Sequence, residues 1–204
     1  MRILIILILT ILANYIFKKV IEFINSKDEN IVLRKRDKII IISSYLIFIT
    51  MFLIKYSSSL IFVFYYLTIL YLIITAFIDF KTQYVYCILN IYMGINSAIS
   101  LLYLLITNVD ITPNISGVLI TCIVSIILSR LDVWGWGDTE IFMVISPIVA
   151  TGGAIYIIWN FIISMVLSSV INISNMLFKG FKMPLRQAFA PYITVSSLLI
   201  MFVK

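Results

Sequence analysis

No histidine occurs anywhere in the 204 residues. That absence removes Ser-His and Cys-His triads, histidine general bases and the HExxH zinc peptidases together. Cysteine is almost as scarce. Cys87 and Cys122 stand alone, each in or beside an apolar stretch and without the paired CxxC of a zinc site, so both read as small buried apolar residues. No metal and no cofactor is expected. Acidic residues number only nine, which makes the position of each informative. Extended polar sequence is lacking too. The one substantial hydrophilic stretch runs from Lys18 to Lys38 and mixes seven basic residues with Glu22, Asp28, Glu29 and Asp37. It reads as a short solvated loop whose Arg34, Lys35 and Arg36 lie near anionic headgroups. There is no repeat and no low-complexity segment.

What fills the chain instead is apolar. At 63% hydrophobic residues it cannot hide its side chains inside a soluble globule. Apolar runs suited to a hydrocarbon layer about 30 Å thick recur with only short polar breaks. They predict helices at 3–17, 39–54, 60–78, 87–106, 117–129, 138–151, 154–172 and 188–203. The fold class is therefore all-α, a polytopic membrane helix bundle of about eight transmembrane helices forming a single domain over 1–204. The first run lacks a small-residue cleavage pattern and reads as a retained helix. The sixth and seventh runs, joined near Gly152 and Gly153, have a re-entrant pair as their alternative.

The net charge of +6 raises nucleic acid as a partner, but the 15 basic residues sit in short loops rather than on a soluble face. Orientation explains them better, and the lipid bilayer is the expected partner. With the amino terminus outside, the inner loops collect all but Arg2, Lys55 and Lys204. The 18–38 loop then lies in the cytoplasm.

The acidic residues sharpen the reading. Asp110 sits in an outer loop. Asp79 closes the third apolar run, while Asp132, Asp138 and Glu140 cluster where Trp134-Gly135-Trp136-Gly137-Asp138 interrupts the apolar pattern. Ionisable groups at membrane helix ends are functional candidates by default. Two apolar helices separate Asp79 from Asp138, so a hairpin carries the chain out and back and both carboxylates reach the same inner surface. Two carboxyl groups held close share a proton, which is the aspartic protease arrangement. Gly135 and Gly137 leave the backbone bare beside Asp138, open to conformations closed to other residues and to a substrate strand. The plainer readings are a helix N-cap for Asp138, pairing with Lys81 for Asp79, and a loop charge beside Arg130 for Asp132. Glu140, two residues beyond Asp138, reads as pointing to a different side of its helix.

These residues resemble the type IV prepilin peptidases, which belong with the GxGD aspartyl proteases. From about Leu60 onward, Ile78-Asp79-Phe80-Lys81-Thr82-Gln83-Tyr84-Val85 is similar to the family's IDxxTxxIP stretch. Gly135-Trp136-Gly137-Asp138 matches GxGD, and Phe189-Ala190-Pro191-Tyr192 is similar to its Phe-Gly-Pro-Tyr segment. Tyr86 departs from the usual proline, and Glu140 from a frequent lysine. The resemblance implies an aspartic-type endopeptidase with Asp79 and Asp138 catalytic and Gly135 and Gly137 in the active-site loop. Its substrate would be a prepilin or pseudopilin, with a basic leader before an apolar helix, cut after a glycine at the cytoplasmic face of the cell membrane. Larger family members carry a cytoplasmic domain with paired CxxC motifs associated with N-methylation. The 18–38 loop stands in its place, so the short peptidase-only form without methyltransferase activity is expected.

A small transporter or a noncatalytic assembly protein, using the Asp pair to relay protons or anchor a partner, is the alternative from another class. A presenilin-like protease cutting within transmembrane helices is a third. The predicted orientation is directly testable. Cysteines engineered at Asn108 and Lys182 should react with an impermeant reagent on opposite sides of the membrane, and labelling from one side would overturn the orientation.

Overall fold

A backbone placed in hydrocarbon must satisfy its N–H and C=O groups within itself, and for these apolar runs the α-helix is the solution. The computed structural model describes residues 2–26, 31, 33–56, 61–179 and 187–203, the side chains of 2–7 excepted. Lys27, Asp28, Glu29, Lys182, Arg186 and Lys204, which entered the charge argument, lie outside them. Among the described residues there are eight helices and no strand: α1 Arg2–Asn25, α2 Lys35–Tyr56, α3 Ile61–Thr82, α4 Cys87–Ile106, α5 Thr112–Arg130, α6 Trp136–Val149, α7 Ile155–Lys179 and α8 Ala190–Val203. The all-helical membrane fold is borne out. Five helices, α2 to α5 and α7, are long and apolar enough to cross a membrane. By contrast α6 and α8, with 14 residues each, fall short of the roughly 20 that a full crossing takes.

Most helix ends lie beyond the apolar runs that predict them. Helix α1 continues past Phe17 to Asn25, α2 begins at Lys35, and α3 reaches Thr82. An apolar run marks only the part of a helix inside hydrocarbon. Backbone bonding continues into the interfacial layer, where charged side chains are tolerated.

The chain divides into two compact units, Met1–Ile74 and Thr75–Lys204, with the boundary inside α3. In the first, α1 packs along α2, and the Tyr66 hydroxyl donates to the Leu9 carbonyl at 3.0 Å. Phe52, Tyr56 and Tyr65 form a ring cluster with centroids 4.8 to 5.9 Å apart.

In the second unit, α6 packs against α4, α5 and α8, and α7 pairs with α8. Small and polar residues make these contacts, as they do where no hydrophobic drive joins helices in lipid. Pro147 inside α6 deprives the Met143 carbonyl of its helical donor, and the Ser146 hydroxyl donates to it at 2.8 Å instead. Asn114 of α5 donates to the Pro147 carbonyl at 2.6 Å, and Ser97 of α4 to that of Val144. Between α7 and α8, the Asn160 carboxamide accepts from Ser196 and Ser197, and Ser164 bonds Ser196. All four are buried. Gly152, at φ +93°, makes the turn from α6 to α7, a conformation that suits glycine.

Candidate active site

Asp79 lies in the last turn of α3, where its own helix dipole disfavours a carboxylate. A second helix reverses that. The backbone N–H of Ala190, the first residue of α8, donates to Asp79 Oδ2 at 2.9 Å across 111 residues of sequence. Pro191 follows with no N–H to offer, and the amides of Tyr192 and Ile193 return to the Phe189 carbonyl. Ala190 therefore brings an unspent helix-end donor to Asp79. The Asp79 carboxylate is buried. Lys81, the partner suggested by sequence spacing, carries its ammonium over the Phe77 ring at 5.6 Å.

Asp138 is not the N-cap of α6. Gly135 holds that place, and Asp138, three residues on, accepts the Gly135 N–H at 3.1 Å through Oδ2. Trp134 sets this turn in position. Its buried indole donates to Thr139 Oγ1 at 3.1 Å and to the Ser125 carbonyl at 3.3 Å, and its rings lie against Phe142, Phe161 and Phe189. The turn of α6 and the entry to α8 are thus tied through one aromatic cluster.

The two glycines differ from the sequence expectation. Neither has a positive φ. Gly137 serves close packing, since a Cβ there would meet Val85 at 2.8 to 2.9 Å. Val85 belongs to the stretch that follows Asp79, so this contact joins the two motif segments directly. Gly135 faces only an ordinary 3.5 Å contact with Asp138.

Asp79, Asp138, Gly135 and Gly137 all line one cavity of about 910 Å³. Asp132 and Glu140 line it too, although sequence spacing suggested that Glu140 faces elsewhere. Glu140 receives the Asn90 carboxamide at 2.6 Å. Asp132 sits at φ +53° just beyond α5, where the Val133 N–H returns to the Leu128 carbonyl. Arg130, its expected neighbour in charge, lies over the Trp136 ring at 5.6 Å. Among the described residues, none of those lining the cavity is Lys or Arg. Cys87, read from sequence as buried, is exposed and lines the cavity, and Cys122 is half-buried. Among the described residues no cluster of ligands suited to a metal ion occurs.

Asp138 is half-buried in the first turn of α6, outside the five spanning helices. Burial raises its pKa to about 7, the Asp79 charge adds to the rise, and the Gly135 N–H opposes it.

Residues 66–173 match the type IV leader peptidase family, and the matched stretch is more than half of the chain and contains both aspartates. The chain belongs to this family. The resemblance drawn from the motifs is borne out, and a multi-pass membrane peptidase is the activity class that membership carries. No curated protein and no solved structure matches the chain significantly. The segment around Ala190 lies outside the matched residues of the peptidase.

The packing of Gly137 makes a specific demand. Gly137→Ala should lower peptidase activity about 10- to 100-fold by displacing the Asp138 turn from the Asp79 segment, and Val85→Ala should restore much of the loss. Gly135→Ala should stay close to the parent. Equal effects of the two glycine substitutions in a reconstituted assay would contradict the packing role.

Proposed function

We propose that the protein is an aspartic-type endopeptidase that removes the basic leader of prepilin or pseudopilin proteins, with Asp79 and Asp138 as the catalytic pair. The observation that carries this reading is that both carboxylates line one cavity in a member of the leader peptidase family. With a pKa of about 7, Asp138 holds the pair's proton near neutral pH. Asp79, steadied by the Ala190 amide, is the base that takes a proton from water. The water oxygen bonds to the peptide carbonyl carbon while Asp138 protonates the carbonyl oxygen. Collapse of the tetrahedral intermediate breaks the C–N bond, the proton gained by Asp79 leaves with the amine, and one hydroxyl of the intermediate returns a proton to Asp138.

The lining of the cavity suits a cationic leader, since its described residues offer four carboxylates and no lysine or arginine. Ser168 and Asn172, one turn apart on α7, add neutral polar groups for a peptide main chain. The bias of basic residues toward one set of loops supports action at the cytoplasmic face of the cell membrane, in the assembly of pili or a related secretion system.

Both aspartates also hold helix ends, which favours a second reading, a noncatalytic assembly protein with a structural Asp pair. Asparagine separates the two. Its carbonyl still accepts the same backbone N–H, so a structural role survives Asp→Asn while acid-base chemistry does not. Asp79→Asn and Asp138→Asn should each reduce leader cleavage by about 10³-fold or more, with the double variant no worse than either single one. Asp132→Asn and Glu140→Gln should keep most of the turnover. Substantial cleavage by either catalytic variant would show that the wrong carboxylate had been chosen. The parent's cleavage should also fall as the pH rises through about 7, because Asp138 then gives up the proton needed by the carbonyl oxygen. An alkaline limb unaffected up to pH about 9 would contradict that assignment.

A further inference from the structure

Helix α3 carries threonines at 68, 75 and 82, seven residues apart, and they do not behave alike. Thr68 and Thr82 return their hydroxyls to the carbonyls four residues back, at 2.8 and 3.0 Å from Phe64 and Ile78. This is the ordinary way for a helical threonine to satisfy its hydroxyl. Thr75 Oγ1 has no hydrogen-bond partner, although the residue is only 2% exposed. A buried hydroxyl left in that condition destabilises the fold, and a methyl group of the same shape would serve packing better.

The place of Thr75 suggests what the hydroxyl is for. It stands one turn before Asp79 on the same face of α3, within the same compact unit. Helical side chains lean toward the amino terminus, so a residue at 79 projects over the turn that carries Thr75. The Ala190 amide engages Asp79 Oδ2 at 2.9 Å and the Phe189 amide also bonds the carboxylate, whose four lone pairs leave room for a further donor from its own helix.

We propose that Thr75 is a positioning residue whose hydroxyl donates to the Asp79 carboxylate, directly or through one bridging water, when the pair engages a substrate. Ala190 and Thr75 then fix the carboxylate from opposite ends, one from α8 and one from its own helix. The plane of the base is set toward the attacking water. The inference rests on Asp79 being the catalytic base.

The test uses the full chain in lipid vesicles and a synthetic precursor with a lysine-rich leader, a glycine and an apolar helix of about 20 residues. Thr75→Val removes the hydroxyl and keeps the shape, whereas Thr75→Ser keeps the hydroxyl. The valine variant should be as thermally stable as the parent or more so, yet lose roughly tenfold or more in kcat with KM little changed. The serine variant should recover kcat to within about threefold of the parent. Valine at parental kcat would overturn the inference, and so would serine and valine variants that lose stability and kcat in parallel. If valine prevents folding, Thr75→Ala against Thr75→Ser gives the same comparison, and equal kcat in that pair overturns the proposal. Asp79→Asn serves as the separate control. Its retention of cleavage would refute the catalytic pair itself, whereas its inactivity beside a fully active valine variant would remove only the role of Thr75.

Discussion

A carboxylate in the last turn of a helix faces the carbonyl ends of its own peptide groups, and without an opposing donor the arrangement is unfavourable. At Asp79 the opposing donor is the N-terminal amide of α8, and much of the second unit serves to keep that amide in place. The buried Asn160 and serine cluster sets α8 on α7. Phe189, just before α8, stacks on Trp134, and Trp134 holds the turn that carries Asp138. Gly137 then lets that turn meet Val85. Each contact is modest in energy, but together they fix two carboxyl groups on one cavity wall.

Much of this was legible in the sequence. Apolar period and length gave eight helices, and α4 matches its expected span of 87–106. The pairing of Asp79 with Asp138 followed from counting helices between them. Four things were not legible, each for a physical reason. Helix ends were set short, because hydropathy reports hydrocarbon and not backbone bonding. Gly137 was credited with backbone freedom, because a sequence does not say which neighbour a missing Cβ makes room for. The segment Phe189 to Tyr192 was noted only as a family likeness, because an amide donor acting over 111 residues leaves no local pattern. Trp134 was likewise seen as an interruption of the apolar run, and only its rings and indole bonds reveal it as an anchor.

The charged groups of the cavity have two kinds of work. Asp79 and Asp138 receive helix-end amides, and Glu140 receives a carboxamide from α4, so none of the three is a loose surface charge. A site whose carboxylates accept such bonds is held rigidly by its own hydrogen bonds. Its geometry is consequently tied to the integrity of the fold and to the short segments that follow α3 and α5 and precede α8.

The bond between Asp79 and Ala190 also bears on how the protein is made. Helices emerge during synthesis in chain order, and α8 is the last of the eight. Until it has inserted, Asp79 has no helix end to receive it and the wall of the cavity lacks Phe189. The cavity is therefore completed only once α8 has joined the helices before it. A nascent fragment that stops short of α8 carries an unfinished cavity wall.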